Sequence, residues 1–292
     1  MSETELKLSV SEANLEAAHR WLLEQGARAT GAPLSLRNRY FDTPDGRLNR
    51  DRVALRLRET GDQVIQTLKT RGHMQAGAME REEWEWNLHE ASLDLGLLED
   101  TPLAGHPALS ELVHCFDTDF ERRVLDLSET SDDGAVTEIE CALDRGVIRA
   151  GDAEVPLLEV ELELKSGDAR ALGRVAHAMV SGVPALLNGI SKAEQGYCLA
   201  GIHRFPEPGG DPVARWMALL CQAWQRDDAA LWPELQAAHQ AVTDEAHAKG
   251  VEQLCTTVAD ALEQAARQHL SPRNVLVDTP GLAALQLTLV TD

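Results

Sequence analysis

The sequence contains no run of about 18 apolar residues, so no transmembrane helix is expected. It also lacks any CxxC pair. Its five cysteines, Cys115, Cys141, Cys198, Cys221 and Cys255, are scattered and odd in number, which argues against a disulfide framework or a zinc site and predicts buried free thiols. Basic residues are scarce, 27 Lys and Arg against 48 Asp and Glu, for a net charge of −21. General binding to nucleic acid or to an anionic membrane surface is therefore not expected. A small anionic ligand remains compatible, because a local cluster of Lys and Arg can hold a phosphate on an acidic protein. The first residues are charged, with no basic leader and no apolar signal core, which predicts a cytoplasmic location.

What is present suits a globular protein: 292 residues, 43% hydrophobic and 26% charged, long for one compact domain and comfortable for two. Strand-like alternation fills the first two thirds. Glu3, Glu5 and Lys7 fall on one face of an opening strand, with Leu6 and Leu8 on the other. Ser11 to Gln25 reads as a helix, and 34–42 as an extended segment closed by the turn residues Thr43, Pro44, Asp45 and Gly46. Residues 53–59 and 64–70 make a hairpin, 71–79 a loop, and 81–86 a further strand. Short helices are expected over 90–115, then strands over 118–127, 136–144 and 157–165, with a hairpin and a short added strand over 144–152. A helix follows Asp168 and ends at Gly182.

The charges on these strands are sorted. Acids dominate at Glu138/Glu140 and Glu159/Glu161/Glu163, bases at Arg56/Arg58, and Arg81 shares its face with Glu83 and Glu85. In a two-layer fold such faces would simply meet solvent. Sorting by sign, and a preference for Arg with its rigid fork, points instead to a closed antiparallel barrel with a polar interior. An interior of both signs must hold water and ligands. Paired carboxylates suit Mg²⁺ or Mn²⁺, and the Arg and Lys cluster suits a polyanion, which together describe a phosphoryl- or nucleotidyl-transfer site.

These residues carry a resemblance. Glu3-x-Glu5-x-Lys7 is similar to the signature of the CYTH superfamily, the triphosphate tunnel metalloenzymes. The later motifs follow the family order: Tyr40 to Pro44, Ala54 to Arg58, Gln66 to Lys69, Arg81-x-Glu83, Ile139-Glu140 with Asp144 and Gly146, Glu159 to Glu163, and Ser191-Lys192-Ala193. The resemblance covers roughly residues 1–203 and implies an α+β fold, an eight-stranded antiparallel barrel with flanking helices. It implies Glu3 and Glu5 as metal carboxylates, completed by Glu140, Glu159 and Glu161, with Glu138 and Glu163 as further acids. Lys7, Arg56, Arg58, Lys69, Arg81 and Lys192 are implied as phosphate-binding bases. Lys7, Arg56, Arg58 and Lys69 form the catalytic group with Glu3 and Glu5. One of Arg122 and Arg123 joins the bases. Parity does not separate the two, and Arg122 is assigned.

Beyond Phe205, a linker over 204–212 rich in Pro and Gly leads to a helical region over 213–292. Two or three amphipathic helices are expected over 213–270, with Trp224 and Trp232 in their core, and 271–292 is ambiguous. The region resembles a short CHAD domain but departs from it, with twelve Asp or Glu against five Lys or Arg from residue 205 onward. That balance speaks against a polyphosphate-binding role and for a docking appendage that packs on the barrel or self-associates. The activity expected by analogy is hydrolysis of inorganic triphosphate with Mg²⁺. The alternatives are a class IV adenylate cyclase, a thiamine triphosphatase, or a non-catalytic polyphosphate- or nucleotide-binding module.

Overall fold

The computed structural model describes residues 2–70, 73–75, 78–131, 134–203, 205 and 207–291, and side chains throughout these except at 2, 73–75 and 79–81. The described strands are β1 (Ser2–Ser9), β2 (Arg28–Ala29), β3 (Leu34–Asp42), β4 (Ala54–Thr60), β5 (Gln63–Lys69), β6 (His73–Gln75), β7 (Ala78–Leu88), β8 (Val113–Thr130), β9 (Val136–Ala150), β10 (Ala153–Ser166) and β11 (Leu186–Leu187). Every pairing is antiparallel, and neighbours run β1-β10-β9-β8-β3-β4-β5-β7. Residues 2–5 of β1 pair in turn with β7, which brings the path back to its start and makes a ring of eight strands.

Register sets the character of the ring. Directly paired residues share a face, so one parity carries round from strand to strand. Lys7 lies opposite Glu161, Glu159 opposite Asp144, Asp144 opposite Arg122, Tyr40 opposite Arg56, and Lys69 opposite Glu83. The other parity is apolar and faces outward. Leu6, Leu8, Leu125, Ile139, Leu143, Val160 and Leu162 pack under three helices: α1 (Glu12–Glu24), α3 (Arg170–Val180) and α10 (Leu282–Val290). On the far side Leu55 and Leu68 pack with Leu48, Leu98 and Leu103. Burial of these outward faces drives the ring shut, since each Leu withdrawn from water contributes about 1.5–3 kcal/mol.

The inward positions change along the barrel. Beyond Asp144 and Arg122 they become Leu157, Ile148, Phe120, Leu36 and Phe116, a cluster completed by Tyr40 and Tyr197. This apolar layer fills one part of the interior and leaves the charged part as a cavity. Tyr197 belongs to α4 (Lys192–Leu199), which lies tight against the barrel: a Cβ on Gly196 would fall 2.1 Å from the Phe116 ring. Asp42 and Thr43 serve structure, the buried Asp42 carboxylate accepting from the backbone N–H groups of Thr43, Leu48 and Asn49 where α2 (Arg47–Arg50) begins.

Several boundaries differ from expectation. The loop expected over 71–79 contains β6 and the first residues of β7, while 71–72 and 76–77 lie outside the described residues. The hairpin and added strand over 144–152 are one long ladder, β9 running straight into its turn with β10. Glycine there signals strand approach rather than a turn, because a Cβ on Gly146 would meet the Asp119 carbonyl at 2.1 Å. The short helices of 90–115 are two single 3₁₀ turns.

The C-terminal region is helical: α5 (Pro212–Arg226), α6 (Trp232–Gln240), α7 (Thr243–Ala248), α8 (Glu252–Arg267), α9 (Pro272–Asp278) and α10. Trp216, Trp224, Trp232, Val258, Leu262 and Leu276 form its core. Residues 271–292, ambiguous by periodicity, supply α9 and α10. An α10 apolar on all sides has no stripe to read, since it is buried between the barrel and the other helices.

Candidate active site

A cavity of about 1030 Å³ occupies the charged part of the ring. Glu3, Glu5 and Lys7 enter it from β1, Arg56 and Arg58 from β4, Lys69 from β5, Glu83 and Glu85 from β7, and Arg122 from β8. Glu140, Glu161, Glu163 and Lys192 line it as well, with Arg50, Arg52, Lys165 and Glu194 also on the lining. The backbone of Arg81 pairs with Glu3, but its side chain lies outside the described residues. Glu138 is not among the lining residues and accepts from Ser128 at 2.7 Å; Glu159, expected at the metal, and Asp144 are off the lining too, both buried.

One wall is balanced. Lys192 Nζ sits among three carboxylates, 2.8 Å from Asp144, 2.9 Å from Glu161 and in contact with Glu159. Arg122 donates twice to Asp144, at 2.7 Å each, and once to Glu161. Burial pushes the Lys192 ammonium down, but its three carboxylates outweigh this and hold it above its usual value. Burial likewise raises Glu161, yet Lys192 and Arg122 hold it well below the usual carboxylate range. Glu159 is buried deeper and less compensated, and is pushed up to about 7, with Glu161 adding to the effect of burial. The ambiguity between neighbouring arginines resolves in this wall: Arg122 turns inward, whereas Arg123 turns outward to Glu16 on α1.

The facing wall is less tightly paired. Arg58 donates to Asn38 at 2.8 Å and has no carboxylate within ion-pair reach among the described residues. Burial, then Arg56 and Arg122, push its guanidinium down to about 9, so it remains charged at neutral pH. Arg56 reaches Glu83 and Glu85 only at 3.8 Å, and its Nε is buried with no hydrogen-bond partner among the described residues. Burial would raise the Tyr40 phenol, but Arg56, Arg58 and Lys69 around it hold it below its usual value. Lys69 pairs with Glu3 and Glu83, both at 2.9 Å. Burial lifts Glu83 above the usual range despite that pairing.

Oxygen atoms of Asp144, Glu159 and Glu161 lie within 4.8 Å of one another. Carboxylates at that spacing are hard donors of the kind a divalent cation takes, but here the Lys192 ammonium sits among all three, and Glu161 alone of them lines the cavity. The other carboxylates expected at the metal stand apart from this trio. Glu3 is held by Lys69, Glu140 is 3.3 Å from Lys165, and Glu5 lies buried on the cavity wall between them in register with Glu163. Asp144, Glu83 and Tyr40 were not singled out as site residues from sequence. Parity with Glu140 and with Glu85 was the available signal for the first two. Tyr40 sits on a strand whose inward face is otherwise apolar or amide, and its signal was its place in the Tyr40 to Pro44 motif. Burial raises the free thiols, Cys141 to about 12 and Cys221 to about 11, so neither is a nucleophile at neutral pH.

The CYTH domain family model matches residues 1–197. An inorganic triphosphatase of Haemophilus influenzae is 31% identical over 204 residues, 68% of this chain. The match spans only 55% of that relative's length. A proposed adenylyl cyclase of Hippeastrum, described as having a dominant triphosphatase activity, superposes with a TM-score of 0.48 at 19% identity, covering 67% of this chain and 95% of that one. A proposed adenylate cyclase of Bacillus halodurans gives 0.38 at 19% identity, over 70% and 92%.

Proposed function

The chain belongs to the CYTH domain family, and from that premise we propose that it hydrolyses inorganic triphosphate to diphosphate and phosphate with the help of Mg²⁺ or Mn²⁺. The observation that carries this reading is one cavity whose two walls differ. Arg58 has no carboxylate within ion-pair reach among the described residues and Arg56 meets its two only at 3.8 Å, while Glu161, Glu140 and Glu163 line the same cavity. A linear polyphosphate supplies the missing negative charge, and carboxylates alone would repel it. Arg56, Arg58, Lys69 and Lys7 bind and orient the phosphates, and their charge offsets what develops on the leaving group. The Tyr40 hydroxyl, set among these cations, is a further donor to a phosphate oxygen.

Glu161 is proposed to hold the cation together with Glu3, Glu5 and Glu140 on the same cavity lining, while Asp144 and Glu159, buried off that lining and paired to Lys192, complete the acidic set. When bound, the cation supplies polarisation of phosphate oxygens and activation of water. Arg122, tied to Asp144 and Glu161, fixes the orientation of two of those carboxylates. A pure anion receptor would need no such acids, which favours turnover over binding alone. A cytoplasmic location belongs to the same reading.

The direct test incubates the full chain with Mg²⁺ and tripolyphosphate, ATP or thiamine triphosphate, following phosphate and cyclic AMP. Phosphate release from tripolyphosphate above the other two is the expected result. Turnover of none of them leaves a binding module, and cyclic AMP from ATP replaces the reading by a cyclase. Glu5→Gln should abolish metal-dependent turnover while tripolyphosphate still protects the fold thermally. Wild-type activity in that variant removes Glu5 from the metal site.

A further inference from the structure

Helix α10 is apolar except at Gln286 and Thr288, and Gln286 is fully buried. An amide in such a place costs free energy unless both of its ends are satisfied. Here both meet a single residue. The Leu187 N–H donates to Gln286 Oε1 at 2.9 Å, and Gln286 Nε2 donates to the Leu187 carbonyl at 3.0 Å. Leu187 lies on β11, which pairs with β1 and ends the sheet path there, so its outward backbone groups would otherwise stay open. The glutamine therefore takes the place of one more strand. Leu would fill the same volume, so the amide is explained by what it fixes.

Residues 188–192, immediately after β11, belong to the site. The Asn188 N–H donates to the Lys7 carbonyl at 3.0 Å, and its side chain ties Ser9 to the Ile190 N–H. The Ile190 carbonyl accepts from Lys7 Nζ at 3.2 Å, and Ser191 caps α4, whose first residue is Lys192. Lys7, proposed to bind phosphate, and Lys192, which pairs the buried carboxylates, thus depend on the placement of residues 187–191. The same helical region also reaches the cavity directly, because Met217, Ala218, Cys221 and Gln222 of α5 line it. Gln286 Nε2 lies 3.4 Å from Met217 Sδ, and Cys221 Sγ donates to the Leu187 carbonyl at 3.7 Å, which joins the two contacts into one junction.

We infer that the C-terminal helices are a working part of the cavity, with Gln286 as a positioning residue that acts through β11 on Lys7 and Lys192. The inference rests on the triphosphate reading above. Displacing such a lysine by an ångström can cost on the order of 100-fold in rate, so a modest shift of β11 is enough to be measured.

The test compares two α10 variants of the full chain. Gln286→Met keeps volume and removes both hydrogen bonds to β11. Leu285→Ala opens a cavity in the tail core of the same helix while leaving both Gln286 hydrogen bonds to Leu187 in place. Both should lower the melting temperature. Gln286→Met alone should raise KM for tripolyphosphate, by roughly 10-fold, and weaken thermal protection by tripolyphosphate. Equal loss of stability with KM unchanged in both overturns the inference and leaves Gln286 a packing residue. Should Gln286→Met not fold, Ala218→Trp tests the same claim from α5, where the added indole enters the cavity. Its KM should rise with the melting temperature kept, and an unchanged KM overturns the claim. A wild-type chain that tripolyphosphate neither protects nor feeds sinks the functional reading instead; a protected wild type with an equally protected Gln286→Met sinks only this inference.

Discussion

The two walls of the cavity hold the same kinds of side chain and differ in their balance. On the β8–β9–β10 side, Lys192 and Arg122 share Asp144, Glu159 and Glu161 at short distances. On the β3–β4–β5 side, Arg58 has an asparagine and Arg56 two carboxylates at the edge of reach. A buried pair that is complete resists loss of either member, because the partner is left charged and unpaired. A cation without a carboxylate contributes little to the fold and is available to a ligand. Pairing, more than residue type, separates the charges that hold the barrel together from those that wait for an anion.

Arg122→Met attacks the balanced wall and should have the largest effect on the fold, a loss of about 3–5 kcal/mol in urea denaturation, since Asp144 and Glu161 lose a shared partner. A cost near zero would erase the distinction between the walls. Arg58→Met attacks the other wall and should behave in the opposite way. Its melting temperature should hold or rise, while KM for tripolyphosphate increases roughly 10- to 100-fold through loss of one charge-assisted contact of about 1.5–3 kcal/mol. Lys69→Met should fall between the two, losing ion pairs to Glu3 and Glu83 as well as substrate affinity. The sharpest version of the comparison is the ratio of stability loss to KM change across these three variants. Tyr40→Phe is the smallest step: removal of one hydroxyl among three cations should raise KM by no more than about 10-fold, or ~1 kcal/mol, with kcat nearly unchanged.

Acidic strength also divides the balanced wall against itself. Glu159, pushed up to about 7, is more protonated in the native than in the unfolded chain between its ordinary range and neutrality. Metal-free protein should therefore lose stability as pH rises through that window, and Glu159→Gln should flatten the profile of melting temperature against pH. A profile that Glu159→Gln leaves unaltered assigns the pH dependence elsewhere.

Much of this was legible in the chain. Alternation on β1, β4 and β10 placed Glu5, Arg56 and Glu161 on charged faces because side chains reverse every residue in a strand. The order of the motifs named the family. Arg122 and Arg123 were not separable, since both flank a strand whose faces are each partly charged, and only the pairing of Arg122 with Asp144 gives the inward parity. Asp144, though part of a motif, was given no site role for a related reason. Gly146 beside it suggested a turn, when the glycine is there to let β8 and β9 approach.

By itself, then, the sequence determined which residues can share a strand face, roughly where α1 and α3 begin, and the excess of acid against which the basic cluster stands out. These are properties of neighbours, set by a period of two or of 3.6 residues. The tertiary structure decided which faces meet. Ring closure between β1 and β7 set Glu3 beside Lys69, 66 residues away. Docking of α10 brought Gln286 to Leu187 across 99 residues. Contacts at that separation depend on register and packing that no local pattern encodes, and they are what turned an acidic helical tail from an appendage into one side of the site.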